Sequence, residues 1–262
     1  MKNNFFVTSA ALDVPHGFLK RHGGVSQGIY DSLNCGYRHD RQGAGFDAEE
    51  NVVENRRRAI TFVGGSFKNL CLAKQVHGSD CLVVTKPEQG DREGDALVTN
   101  KPDLVLGVQT ADCVPVLFYE KKAQVIGAAH AGWKGALKGI LQSTVRTIES
   151  LGGVKEHITA VIGPCIDQQS YEMGAEVFDD FTKQDPQSKA FFVDGNKPDK
   201  FLFDLPGYVA FCLKQAGVLR IEDVGLSTYT HEEMFFSCRR AFHQGHPGFG
   251  NQLSLIFMKT DT

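Results

Sequence analysis

Leu104-Val-Leu-Gly-Val-Gln109, Val114-Pro-Val-Leu-Phe-Tyr119 and Gln124-Val-Ile-Gly-Ala-Ala-His130 follow one another with short breaks, and the third continues through Ala131-Gly-Trp-Lys-Gly135 into a helical pattern. The first two are continuous apolar runs, the pattern of strands covered on both faces, with Pro115 limiting where a ladder donor is needed. The third is a strand-turn-helix unit. Leu137, Leu141, Val145 and Ile148 fall on one helical face, the helix runs to about Ser150, and Gly152-Gly153 stops it. Upstream, Leu70-Cys-Leu-Ala-Lys-Gln-Val-His77 reads as a strand entering a turn at Gly78, with Asp80 to Thr85 as its hairpin partner, and a helix is expected near Glu49 to Phe62. Arg21-His-Gly-Gly-Val-Ser26 and Asp31-Ser-Leu-Asn-Cys-Gly36 are glycine-punctuated and read as loops. Downstream, Ile158 to Ile162 is a strand ending at Gly163-Pro-Cys165, helices are expected from Gly174 to Thr182 and from Leu205 to Ala216, and Leu253 to Met258 is a last strand. Strands and helices alternate irregularly, so mixed sheets in an α+β arrangement are expected rather than a regular parallel wind. No repeat or linker divides the chain, and residues 1–262 are expected to form one domain.

The composition excludes several function classes. With 42% apolar and 23% charged residues the chain has an ordinary soluble make-up, and a formal net charge of −3 argues against broad phosphate-backbone binding, so nucleic acid polymers are not expected partners. Its basic cluster, Arg56-Arg57-Arg58, lies in a helix-like stretch and is expected on a solvated face. No apolar stretch approaches a membrane span, and the start, Met-Lys-Asn-Asn-Phe-Phe-Val, turns polar too soon for a secretory leader. Seven cysteines are spread singly with no Cys-x-x-Cys pair, which points to a reducing cytoplasm and to unpaired thiols.

Three residues able to hold a soft metal sit at ends of the predicted strands: His77, Cys113 and His130. Alone, each has a plain alternative, a hydrogen-bonded histidine or a small buried cysteine. Their separations, 36 and 17 residues, match no local zinc pattern. Together they would fill three positions of a tetrahedral ion and leave the fourth open, as catalytic zinc sites do. The rival is a metal-free thiolate-imidazole pair of Cys113 and His130, the arrangement of a cysteine hydrolase.

Six segments in order, Gln75-Val-His-Gly, Asp95-Ala-Leu-Val-Thr, Ala111-Asp-Cys-Val-Pro-Val, Ala129-His-Ala-Gly-Trp-Lys-Gly, Ile162-Gly-Pro-Cys-Ile and Phe235-Phe-Ser-Cys-Arg-Arg, resemble the laccase-domain, or multicopper-polyphenol-oxidoreductase-like, family. The resemblance covers nearly the whole chain. It implies an α+β fold with two mixed sheets between helices, shared with bacterial toxin deamidases, and a zinc ion held by His77, Cys113 and His130. It also implies zinc-dependent purine nucleoside phosphorylase activity on adenosine, inosine and methylthioadenosine, with adenosine deaminase activity, in a monomer or homodimer. One departure is Cys238, where the family carries tyrosine. The oxidase implied by the older family label does not suit these residues, because a multicopper cluster uses paired His-x-His motifs and this chain has nine histidines and none so paired. Copper could still occupy the single site in vitro, as imidazole and thiolate bind Cu(II) more tightly than Zn(II).

For deamination, zinc would lower the pKa of its water from about 15.7 toward about 7, and a carboxylate must shuttle protons, either Asp112 or Asp95. For phosphorolysis, Arg21, beside the Gly23-Gly24 turn, is the first expected phosphate contact, and Lys134 with the amides at the helix start after Gly132 the second. Trp133 is a candidate to stack on a purine, with core packing as its alternative.

Overall fold

The computed structural model describes residues 5–37 and 46–260; Met1 to Asn4, part of the stretch read for a leader, lie outside them. Val105–Thr110 and Val114–Glu120 are both strands, yet they do not pair with each other. Residues 111–113 carry the chain from one six-stranded sheet to another. The first sheet has the order Phe6–Val7, His16–Leu19, Gln252–Phe257, Val105–Thr110, Leu70–Lys74, Glu88–Glu93; the second has Arg220–Asp223, Ile158–Ile162, Val114–Glu120, Val125–Ala131, Ala96–Thr99, Cys81–Val83. Both are mixed. Leu70–Lys74 is parallel to both neighbours in the first, and the two outermost pairs are parallel in the second. A third, three-stranded sheet of Glu172–Gly174, Lys200–Phe203 and Phe192–Asp194 adds to the α+β fold expected from sequence.

Six α-helices complete the described residues: α1 (Glu49–Phe62), α2 (Trp133–Lys138), α3 (Ile140–Ser150), α4 (Ala175–Gln184), α5 (Leu205–Gln215) and α6 (Cys238–His243). Strand alternation sorts the core into layers. Ala59 and Ile60 of α1 cover Leu70, Leu72, Val105, Leu253 and Leu255 on the outer face of the first sheet. Leu106, Val108 and Ile256 meet Leu97, Leu117, Ile126 and Ala128 between the two sheets. Val114, Val116, Phe118 and Val125 lie under Leu141, Val145 and Ile148 of α3 and Val209 and Leu213 of α5. This two-sided burial is why the opening runs are continuously apolar, and each large side chain removed from water stabilises by roughly 1.5–3 kcal/mol.

Several expectations need correction. Cys81–Val83 is no hairpin partner of Leu70–Lys74; it pairs in parallel with Ala96–Thr99 in the second sheet, because the amides of Val76, His77 and Gly78 donate to the Asp95 carboxylate and draw the chain across. The helix expected to reach Ser150 unbroken is split at Gly139, whose φ of 90° is left-handed and starts α3 afresh. The amino-terminal loops are preceded by strands, Phe6–Val7 and His16–Leu19. Arg56 is not on a solvated face: the helical repeat places it with Val52, Ala59 and Ile60, where it is buried, donates through Nε to the Cys35 carbonyl at 2.9 Å and lies over the Tyr37 ring. Arg57 and Arg58 do stay near solvent and pair with Glu54. No helix of the described residues is long and apolar enough to cross a membrane, and none of the seven cysteines forms a disulfide among the described residues.

Candidate metal centre

The layering brings one end of each sheet to a common point. His130, on the same strand face as Ile126 and Ala128, points between the sheets from Val125–Ala131. Cys113 sits in the crossing segment just before Val114–Glu120, and His77 in the turn beyond Leu70–Lys74. Their ligand atoms all lie within 4.8 Å of one another, with His77 Nε2 3.8 Å from Cys113 Sγ and the two imidazoles 4.7 Å apart, edge to face. Among the described residues no other group of histidine, cysteine or carboxylate side chains is arranged to hold a metal, and none joins these three. His130 is buried, Cys113 half-buried and His77 exposed, so the cluster opens toward solvent on the His77 side.

Asp95 fixes the geometry. Its Oδ1 accepts from His130 Nδ1 at 2.8 Å and from the His77 backbone at 3.0 Å, while Oδ2 accepts from Gly78 at 2.7 Å and Val76 at 3.2 Å. A carboxylate only accepts, so His130 Nδ1 carries a proton. Burial would lower the ring's pKa, but the Cys113 charge and the Asp95 hydrogen bond raise it to about 9, so a metal at Nε2 would have to displace the second proton. Burial would raise the Asp95 carboxyl, but the His130 hydrogen bond and charge, with the Gly78 and Val76 amides, hold it below the usual carboxylate range. Asp95 also stabilises His77 in a left-handed backbone conformation, φ 58°, which an L-residue adopts at a cost of roughly 1–2 kcal/mol.

Asp112 faces elsewhere. It too has a left-handed backbone, φ 91°, and its buried carboxylate accepts from the Thr228 hydroxyl at 2.7 Å and from the Arg239 backbone at 2.6 Å. Burial pushes its pKa up against those bonds. It thereby ties the start of α6 to the segment that carries Cys113.

The free sulfur is electrostatically prepared for a cation. Burial alone would raise the Cys113 thiol, but the His130 charge and hydrogen bonds from His130 and His77 outweigh burial and bring it down to about 6. Space is reserved as well: a Cβ on Gly132 would lie 2.8 Å from His77 Cδ2 and 2.9 Å from Cys113 Sγ. Two imidazole nitrogens and one thiolate, oriented by a carboxylate and open on one side, therefore fit a single borderline or soft metal ion.

The other residues singled out from sequence are dispersed. Lys134 is exposed in the first turn of α2 with Nζ 5.3 Å above the Trp133 ring. Because Gly139 ends α2 after six residues, its amide dipoles add little for an anion. Trp133 is half-buried against Phe181 and the core, its packing alternative. Arg21 lines a cavity that none of the three ligands borders. Two residues given no role by the sequence reading stand near the cluster. Burial and then the charge of Cys113 push the Tyr171 hydroxyl up, while the Arg239 guanidinium, 5.2 Å over the Tyr171 ring, pulls it back. Arg239 donates through Nη1 to the Glu172 carbonyl and through Nη2 to the Met173 sulfur. Arg239 lies in the Phe235-Phe-Ser-Cys-Arg-Arg motif, which could have flagged it; Tyr171 carries no such local signal.

The family model described as multi-copper polyphenol oxidoreductase laccase matches residues 15–259. The chain belongs to this family. Relatives include a purine nucleoside phosphorylase of Rickettsia conorii, 36% identical over 240 residues that make up 91% of this chain and 98% of the relative. The purine nucleoside phosphorylase YfiH of Escherichia coli is 37% identical over 220 residues, 84% of this chain and 86% of that one. Similar solved structures include YlmD from Geobacillus stearothermophilus, with a TM-score of 0.86 at 28% identity over 98% of this chain and 99% of that one, and YfiH of Bacillus licheniformis, with 0.83 at 30% over 93% and 92%. The plural copper in the family's description finds no counterpart among the described residues, which offer ligands for one ion only.

Proposed function

We propose that this chain is a zinc-dependent purine nucleoside phosphorylase that cleaves adenosine, inosine and methylthioadenosine with phosphate to base and ribose 1-phosphate, and that it also deaminates adenosine. The observation that carries this reading is the three-ligand cluster with a solvent-facing side, in a chain whose relatives at 36 and 37% identity are named purine nucleoside phosphorylases. Two nitrogens and a thiolate from the protein are a donor set that catalytic zinc accepts. Zinc bound there would supply a Lewis acid at its open position. His77, Cys113 and His130 would hold the ion, with Asp95 aiming the His130 ring and anchoring the backbone turn that carries His77.

Neither carboxylate has an oxygen free of protein donors, so in this reading Asp95 and Asp112 position their neighbours rather than relay protons. Arg239, anchored through its backbone to Asp112 and placed over Tyr171, is the cation offered to the phosphate or the ribose. Lys134, exposed in the first turn of α2, is the second candidate cation. The test is an assay of zinc-replete protein that reads ribose 1-phosphate and ammonia separately, with and without phosphate and chelator. Phosphate-dependent ribose 1-phosphate, lost on chelation and restored by zinc, is expected; none from any of the three nucleosides at full zinc occupancy refutes the reading.

One observation favours a second reading. Cys113, His130 and Asp95 stand in the order nucleophile, base and orienter, with the 2.8 Å bond from His130 to Asp95 in place. A metal-free hydrolase would need only one imidazole, however, and here a second, His77, converges on the same sulfur. Labelling separates the two. In metal-free protein, iodoacetamide is expected to modify Cys113 well ahead of Cys71, Cys81 and Cys212, whose thiols burial pushes up to about 11, and of Cys35 at about 12. The thiolate is the reactive form, so the Cys113 rate should be level above about pH 7 and fall as pH drops through about 6. Stoichiometric zinc is expected to block labelling, read by peptide mass mapping; labelling that persists at saturating zinc would support the nucleophile reading instead.

A further inference from the structure

The cavity between the Arg21 turn and α6 has no part in the reading above. It encloses about 230 Å³ and is lined mainly by polar groups, among them Arg21, Arg240, Ser237, Gln244 and His246. Arg21 is held in place on one wall: its guanidinium lies 4.6 Å over the Phe236 ring, Nε donates to the Asp31 carbonyl at 2.8 Å and Nη1 to the Glu232 carbonyl at 3.1 Å. Nη2 makes no hydrogen bond to a described residue. Arg240 is buried on the other wall, where its Nη atoms donate to the Thr228, Tyr229 and Phe235 carbonyls. These carbonyls fix both cations without neutralising them.

The carboxylates that face the pair are Glu232, 3.7 Å from Arg240 Nε and more than half exposed, and Asp31. After burial, the charge of Arg240 lowers the Arg21 pKa more than either carboxylate raises it. Two like charges held beside a cavity, Arg240 buried and Arg21 half-buried, repel each other, and an anion between them removes that repulsion. Guanidinium groups with in-plane donors suit the oxygens of a phosphate.

We infer that this cavity is a binding site for a phosphate-class oxoanion, either inorganic phosphate or a small phosphomonoester, built apart from the metal ligands. Its link to the metal centre is α6, in which the Arg240 side chain lines the cavity while the adjacent Arg239 backbone donates to Asp112 beside Cys113. An anion bound to Arg240 would therefore brace the segment that positions Arg239. The inference does not depend on nucleoside turnover.

Calorimetric titration of the zinc-loaded full chain with inorganic phosphate, and separately with ribose 5-phosphate, tests it and identifies the source. Binding of at least one probe is expected, weakened about tenfold or more by Arg21→Gln, as loss of charge-assisted hydrogen bonds predicts. Gln244→Glu, an exposed change that places a negative charge at the cavity without touching the Arg21 bonds, is expected to weaken the same probe with zinc content unaltered. Phosphate binding that both variants leave at the wild-type level would place the anion elsewhere, and no binding of either probe to the wild-type chain would equally overturn the inference. An inactive wild-type protein that still binds phosphate in this pattern would refute the phosphorylase reading alone.

Discussion

Asp95→Asn is expected to destabilise the folded protein by about 3–5 kcal/mol and to weaken metal binding roughly ten- to a hundredfold. The carboxylate is 1% exposed and receives four hydrogen bonds, three from the consecutive amides of Val76, His77 and Gly78 and one from His130. Asparagine matches its shape but offers only one acceptor oxygen. Whichever way the amide is turned, its NH2 group meets a donor, so buried N–H groups lose their acceptor and the charge that complements His130 disappears. The consequences reach the site through two routes, since the His77 turn loses the anchor of its left-handed backbone and the His130 ring loses the bond that sets its tautomer. Urea midpoints of metal-free protein and a competitive chelator titration read the two effects separately. A variant that holds zinc within threefold of wild type would show that Asp95 does not orient the ligands.

That role shows where the sequence was legible and where it was not. The runs behind Val105–Thr110, Val114–Glu120 and Val125–Ala131 announce themselves because both faces are buried and nearly every position is apolar or small, with polar side chains only toward their ends. Glu88–Glu93 is a strand of similar length made of Glu, Gln, Gly, Asp and Arg, so its pairing at a sheet edge leaves no hydrophobic trace. Phe6–Val7 is too short to show a period. The ligand candidates were legible by type and by their place at strand ends, but their convergence was not. Separations of 36 and 17 residues acquire meaning only once residues 111–113 cross between sheets and Asp95 pulls the His77 turn to the second sheet. Arg56 was misread because a run of three arginines looks solvated until the helical phase is fixed by Val52 and Ile60. Tyr171 comes within electrostatic reach of Cys113, with Arg239 over its ring, from distant elements, and that is packing information which no local spacing carries.

Gly132→Ala is expected to leave the fold intact and to abolish tight metal binding, a drop of about a hundredfold or more. The backbone at Gly132 has φ −74° and ψ 166°, an extended conformation open to any residue, so alanine introduces no backbone strain. What glycine provides there is room. Its added Cβ would stand 2.8 Å from His77 Cδ2 and 2.9 Å from Cys113 Sγ, closer than carbon approaches either atom, so one of the two side chains must move. His77 is exposed and can rotate outward at little cost, which relieves the contact and at the same time removes a ligand. Metal-ligand distances tolerate only about 0.2 Å, so a shift that is harmless to the fold is ruinous to the site. Gly78→Ala is the matched control from the same neighbourhood, since its Cβ would meet Asp95 Oδ2 at 3.4 Å and Val76 Cγ2 at 3.5 Å, ordinary van der Waals contact. The expected pair of results is zinc content near zero with a nearly unchanged thermal midpoint of the metal-free protein for Gly132→Ala, and near-normal zinc content for Gly78→Ala. Wild-type zinc affinity in Gly132→Ala would mean that the ion is not held between His77 and Cys113, and the proposed chemistry would lose its centre.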